Sequence, residues 1–576
     1  MKNRQFIKPV ILFMFVLIGF TSCETTELDL LQNPNDVTED RLDPEFLFNN
    51  IQLGFVGFVE NAAGDASFTA QVTRSFAMTG GNQYVNAFSP SSFNGLWTSA
   101  YAGILADVQA LEPIAQEQGL TYHLGASKIM RAYTLVTLVD LFGDVPFSEA
   151  LQGNDNLNPT EDAQSDVYLA ALADINEAIT MLATETSVLP GDDMYFALNN
   201  GGSVDADLQD NWITAAKTLK LRILNNARLN GTAIGLNITS EINALLLEND
   251  LIDTAAEDWQ FNYNSTRVNP DSRHPGYGRY YENGAAGYMS NYLMWAMLGS
   301  GEKGIDDPRL RYYFYRQDND ATGEDIFTLG CGDGRQSAPG HYAAVTSIYN
   351  TTPVPFCTAD AGRGYWGRDM GDNGGIPPDN TQRTVYGVYP VGGLFDENQD
   401  DDVQNDGEDG TLLGAGITPV LLSSYVNFIK AEAQLTLGTT GDARAFLEAG
   451  IRASMLKVTT FDATTAASTF AATTANIDAY VTLVLTQYDL VDNLGKLDII
   501  MKEYYIAAYG NGLEIYNGYR RTGFPSNFQP TLEINSGDYY RTALYPANYV
   551  NVNVNATQRD RTEQVFWDTN APGFIN

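Results

Sequence analysis

"MRAYTLVTLVDLFGDVPFSEAL", residues 130–151, carries apolar side chains at Ala132, Leu135, Val136, Val139 and Phe142. That spacing follows the helical period and predicts one buried stripe. Gly143 suits a left-handed residue just past a helix end, and Pro146 keeps the helix from resuming. The stretch therefore predicts a packed helix that stops at a fixed corner. Local spacing assigns that corner no function.

Outward from this corner the helical period recurs from about residue 45 to 250. "LWTSAYAGILADVQAL" places Leu96, Tyr101, Leu105 and Val108 near helical spacing, and Trp97 at the helix start reads as packing. "DNWITAAKTLKLRILNNARL" aligns Trp212, Ala216, Leu219 and Ile223, with Lys217, Lys220 and Arg222 off that face. Residues 251–418 differ: Gly, Pro, Asn, Asp and Tyr dominate and no period is sustained. Helical patterns return at 419–437 and 498–509, with an alanine-rich stretch between them. The expected architecture is mostly α, with helical flanks at 45–250 and 419–525 around a loop-rich middle that serves as functional surface.

The chain has 576 residues and a formal net charge of −38, from 71 acidic and 33 basic side chains. A surface of that sign repels phosphate backbones, which argues against nucleic-acid binding. It also disfavours sulfated or uronic ligands. At the start, Lys2, Arg4 and Lys8 precede an apolar run from Val10 to Phe20, then Thr21, Ser22 and Cys23. This order is that of a secretory signal over residues 1–22. The run is shorter than the roughly 20 residues that span a bilayer. A cysteine after two small residues makes Cys23 a candidate lipidated first residue, followed by an acidic tether over 23–44. In an exported chain, Cys331 and Cys357 form a disulfide candidate. Three histidines and no C-x-x-C leave little basis for a zinc site.

"RAYTLVTLVDLFGDVPFSEAL" closely resembles the helix-and-corner signature of SusD-like (SusD/RagB) proteins, the surface glycan-binding lipoproteins of Bacteroidota. "NWITAAKTLKLRILNNAR", "IDDPRLRYYFYR", "YGVYPVGGLF", "SYVNFIKAEAQLTLG" and "EIYNGYRRTGFP" resemble further family segments in the expected order, closest to the second SusD-like subfamily. The resemblance runs to about residue 525. It implies tetratricopeptide-like helix pairs beside a loop-rich ligand surface in a single domain over 45–576. It further implies an outer-membrane, lipid-anchored protein on the cell surface that passes glycan to a SusC-type TonB-dependent transporter. No catalysis and no required cofactor are expected.

Sugars are held by aromatic planes on their apolar faces and by amides, carboxylates and arginine on their hydroxyls. Three segments offer such groups. Residues 80–97 carry Asn82, Tyr84 and Phe88 in a Gly/Ser/Pro loop, and residues 274–297 carry Tyr277, Arg279, Tyr280, Tyr281, Tyr288 and Trp295. Residues 362–375 carry Tyr365 and Trp366 among arginines. In "LFDENQDDDVQNDGEDG", Asp396, Asn398, Asp400 and Asp402 alternate like the start of a calcium loop. The sixth and twelfth positions do not fit an EF-hand, so a solvated acidic loop or an irregular structural calcium site are the two readings. Low lysine with abundant Asp, Asn and Thr points toward a marine neutral β-glucan such as laminarin. The rival classes are a peptide-binding lipoprotein of a similar importer and a secreted glycoside hydrolase, whose two carboxylates no sequence motif would reveal.

Overall fold

The computed structural model describes residues 42–184, 188–283, 287–319, 337–374 and 383–575. The signal-like segment, Cys23, the acidic stretch through residue 41 and Cys331 lie outside the described residues.

Helix α1 (Pro44–Ala63) starts where the Asp43 carboxylate accepts the Glu45 N–H at 3.0 Å, with Pro44 pre-set for the first turn. It is followed by α2 (Ala106–Gln118), α3 (Thr121–Phe142), α4 (Gln164–Leu182), α5 (Leu208–Asn226) and α6 (Ile238–Glu248). Consecutive helices pack against each other: α3 on α4, α4 on α5 and α5 on α6, with α1 and α2 covering α3. Trp97 packs on Tyr101, Phe142 and Tyr549, as expected of a packing residue.

All residues of α3 except Thr121 and Arg131 are buried. The helix predicted to hide one stripe hides nearly its whole girth, so its polar groups need internal partners. Asp140 receives Trp567 Nε1 at 2.9 Å, Asn517 Nδ2 at 2.7 Å and the Tyr168 hydroxyl. Arg222, read as off the buried face of α5, is itself buried against Glu514. The corner also differs in detail from expectation. Gly143 sits at φ +80° and ψ −123°, outside the left-handed helical basin, in a region open to glycine. A Cβ there would stand 2.6 Å from the Arg559 guanidinium. Val145 then bridges to Asp162, which fixes the exit of the chain.

The irregular middle is held by strand β1 (Trp259–Asn262), helices α7 (Pro275–Tyr281) and α8 (Asn291–Met297), and strands β2 (Phe314–Arg316), β3 (Thr384–Tyr386) and β4 (Ile417–Leu421). β1 pairs antiparallel with β4, Asn262 opposite Ile417, and β2 with β3, Tyr315 opposite Val385. In the D-P-R-L segment, Arg309 donates from Nε at 2.9 Å and Nη2 at 2.7 Å to Asp307, both fully buried. The chain then returns to helices: α9 (Ser423–Leu437), α10 (Ala443–Thr459), α11 (Thr474–Leu490), α12 (Asn493–Ala507) and α13 (Gly512–Thr522). α9 packs on α10 and α12, and α11 on α10 and α12. One contiguous apolar cluster runs from Leu47 to Ile575 and joins both helical sets to the middle. Among the described residues, no helix is long and apolar enough to cross a membrane.

Candidate functional site

A cavity of about 750 Å³ opens beside α1, lined by residues from the loop over 79–96 and from the start of α7. One wall is apolar: Leu53, Val56, Phe68, Phe88, Phe93 and Leu96. Phe68 meets Phe88 edge-on at 5.2 Å and Phe93 at 5.4 Å, which fixes the rings, and Phe88 stays half-buried at the cavity. The polar part of the lining comes from distant parts of the chain: Glu60 on α1, Asp65 just after it, Tyr263 after β1, and Arg279 on α7. Gly57, on the cavity side of α1, has open space where a side chain would begin.

The polar wall is strongly coupled. Arg279 Nε lies 3.0 Å from Asp65 Oδ2, so the one guanidinium of the cavity is committed to that carboxylate. Burial nonetheless raises the Asp65 pKa above the ordinary carboxylate value. The Glu60 carboxylate accepts the Thr418 hydroxyl, which in turn lies 3.0 Å from the Tyr263 hydroxyl. Burial pushes the Glu60 pKa up to about 7 against these donors. His274 receives the Gly276 N–H on Nδ1 at 2.9 Å, so its ring proton sits on Nε2, 3.5 Å from Glu60 Oε1. Burial holds that imidazole neutral, with its pKa down at about 3. Apolar side chains and hydrogen-bonding groups together line a space large enough for a small saccharide, and no metal-binding group of three His, Cys, Asp or Glu occurs among the described residues.

The sequence profile of the second SusD-like family, described as starch-binding and associating with the outer membrane, matches residues 34–360 and 379–546. The chain belongs to the SusD-like family. A SusD homologue from Bacteroides fragilis superposes with a TM-score of 0.62 at 19% identity, covering 92% of this chain and 100% of that one. A chitin-binding SusD homologue from Flavobacterium johnsoniae gives 0.60 at 16% identity, covering 91% and 99%. A SusD/RagB family protein from Bacteroides thetaiotaomicron gives 0.61 at 18%, covering 92% and 100%. No curated protein matches the chain. SusD-like proteins are non-catalytic binding proteins, and this chain is not an enzyme.

Of the residues expected to hold ligand in this SusD-like chain, Phe88 and Arg279 come together on the cavity. Asn82 lies near the loop, donating to Glu533 at 3.2 Å, but does not line the space. The other expected aromatics do not line the cavity and are buried against protein neighbours. Tyr84 is held under Arg74 by a 2.6 Å hydrogen bond, and Tyr277 stacks on Tyr281 at 4.8 Å. Tyr280 abuts Tyr386 at 5.2 Å, Tyr288 lies under Arg368, and Trp295 packs against Tyr292. Tyr365 lies 5.0 Å from the Arg316 guanidinium, and Trp366 is 1% exposed.

Glycines of the loop-rich middle help to bury these rings. A Cβ at Gly393 would strike the Tyr281 hydroxyl at 2.5 Å, and one at Gly414 would strike Tyr277 at 2.9 Å. Lacking side chains, these residues let loop backbone lie directly on the rings.

In the acidic loop, arginine holds the first two expected oxygen-bearing side chains. Arg316 donates to Asp396 Oδ1 at 2.9 Å, Asp396 Oδ2 at 2.6 Å and Asn398 Oδ1 at 2.6 Å, so a guanidinium takes the oxygens that the calcium reading assigned to a cation. Asp400 accepts the Asn319 N–H at 3.0 Å, and Asp402 is exposed. Cys357 is disulfide-bonded, while its expected partner Cys331 lies outside the described residues. The sequence reading missed Glu60, Asp65, His274 and Tyr263. Glu60, in the last turn of α1, and Asp65, just after it, look in sequence like ordinary solvated acids.

Proposed function

We propose that this SusD-like protein captures oligo- or polysaccharide in the α1–α7 cavity and delivers it to a SusC-type TonB-dependent transporter, held at the cell surface by a lipid on Cys23. The observation that carries this reading is a cavity of about 750 Å³ whose lining combines apolar and aromatic side chains with carboxylate, hydroxyl and guanidinium groups. That pairing suits a sugar ring, whose C–H face packs on apolar surface while its hydroxyls meet carboxylate and guanidinium. The family's starch-binding description and the chitin-binding relative support a glycan rather than a peptide as ligand. A net charge of −38 and two carboxylates in the wall favour an uncharged polymer, with a β-glucan such as laminarin as the first choice.

The test is calorimetric titration of residues 24–576 against laminarin, mixed-linkage β-glucan, chitin oligomers, xylan, starch, pectin and alginate, with reducing ends assayed in the same samples. Saturable binding to one class without released sugar is the expected outcome. Gly57→Trp places an indole in the open space beside α1 and should abolish that binding while the circular dichroism stays unchanged. Full affinity in this variant would place the site elsewhere, and released reducing ends would refute a binding function.

A further inference from the structure

Glu60 is the one acid in the cavity wall with no lysine or arginine within 4 Å among the described residues. The groups facing it come from every neighbouring element. Thr418 on β4 donates its hydroxyl, and Tyr263 after β1 stands behind Thr418. His274, at the N-terminus of α7, is a neutral imidazole with Nε2 3.5 Å from Glu60 Oε1. Asp65 and Arg279 form their own pair and cancel each other. The cavity therefore presents one carboxylate without a direct cationic partner among the described residues, its side chain only 14% exposed.

A carboxylate can only accept hydrogen bonds, and its remaining lone pairs need donors when a ligand displaces water. A second anion placed against it in a poorly solvated wall is repelled strongly, since little water screens the pair. We infer that Glu60 is the residue that sets ligand specificity by charge: the sugar unit beside it presents hydroxyl or ammonium donors, and a unit bearing a carboxylate or sulfate is rejected. This inference rests on the cavity being the glycan site. The rejection is pH-dependent in a defined direction. Because burial brings the Glu60 pKa up to about 7, the filter weakens as pH falls below that value and is complete above it.

The experiment uses three matched short β-glucan oligomers: one neutral, one in which a hydroxyl is replaced by an amine, and one carrying a uronate. Affinities are measured at low ionic strength, about pH 6 and about pH 8, for the wild type, Glu60→Gln and Glu448→Gln. Glu448, on α10 and outside the cavity lining, controls for the loss of one surface charge. At the higher pH the wild type and Glu448→Gln should bind the amine oligomer at least as tightly as the neutral one. Both should bind the uronate at least tenfold more weakly. In Glu60→Gln the gap between uronate and neutral oligomers should close to within about threefold at both pH values.

A gap that survives Glu60→Gln, or uronate binding equal to neutral binding in the wild type, overturns the inference while leaving the cavity as the site. Absence of binding by all three oligomers, together with glycan binding that Gly57→Trp does not affect, removes the site and the inference with it.

Discussion

Replacing Glu60 by Gln should stabilise the protein above neutral pH and do little below pH 5. The carboxyl keeps its proton to about pH 7 in the folded chain, against an ordinary value of 4.5. Between these values the unfolded chain binds fewer protons, so stability falls as pH rises. Below about 4.5 both states are protonated and the group costs nothing; above about 7 both are ionised and the full cost is present. The difference between 4.5 and about 7 corresponds to about 3 kcal/mol, with partial exposure making that a ceiling. Gln keeps an oxygen for the Thr418 hydroxyl, so the variant changes the charge and little else.

The assay is chemical denaturation of both proteins at about pH 5 and about pH 8, read as the variant-minus-wild-type difference. Other buried acids, such as Asp369 with its pKa raised to about 6, titrate alike in both proteins and cancel. The variant should gain about 2 to 3 kcal/mol relative to wild type on going from the lower to the higher pH. A flat difference across that range would refute the claim that Glu60 is held in a desolvated wall, and with it the pH dependence of the charge filter.

Phe88→Ala removes a half-buried ring from the apolar wall and should weaken glycan binding roughly fivefold to tenfold in titration calorimetry, the size of one aromatic contact. Trp366→Ala should cost about 3 to 5 kcal/mol of stability in a denaturant melt while the folded fraction binds glycan with unchanged affinity, since the indole is 1% exposed and off the cavity. Asp140→Ala strands the donors of Trp567, Asn517 and Tyr168 in the core and should lose at least about 3 kcal/mol or fail to accumulate as soluble protein. Gly143→Ala should lower stability by about 2 kcal/mol or more, measured the same way, because φ +80° and the Arg559 guanidinium both oppose a Cβ.

The helical framework was legible because it depends on local periodicity. The stripe Ala132, Leu135, Val136, Val139 and Phe142 and the stop after Phe142 are facts about neighbouring residues, and they appear where the spacing put them. The joint order of short segments was likewise enough to indicate the SusD-like family before any coordinates. Periodicity marks one buried stripe but cannot say what covers the other side of a helix, and α1, α2 and α4 enclose α3.

The binding site lies beyond local reading for the same reason. Tyr277 and Trp366 were chosen as aromatics in glycine-rich sequence, yet glycine permits close covering by backbone as readily as it permits exposure. Only tertiary packing decides which occurs. The cavity joins Glu60, Phe88, Tyr263 and Arg279, up to 219 positions apart in the chain, and no one-dimensional pattern links them. Their charge states also follow from enclosure: the same Glu60 on an exposed helix would titrate as an ordinary acid, and the surrounding wall raises it to about 7.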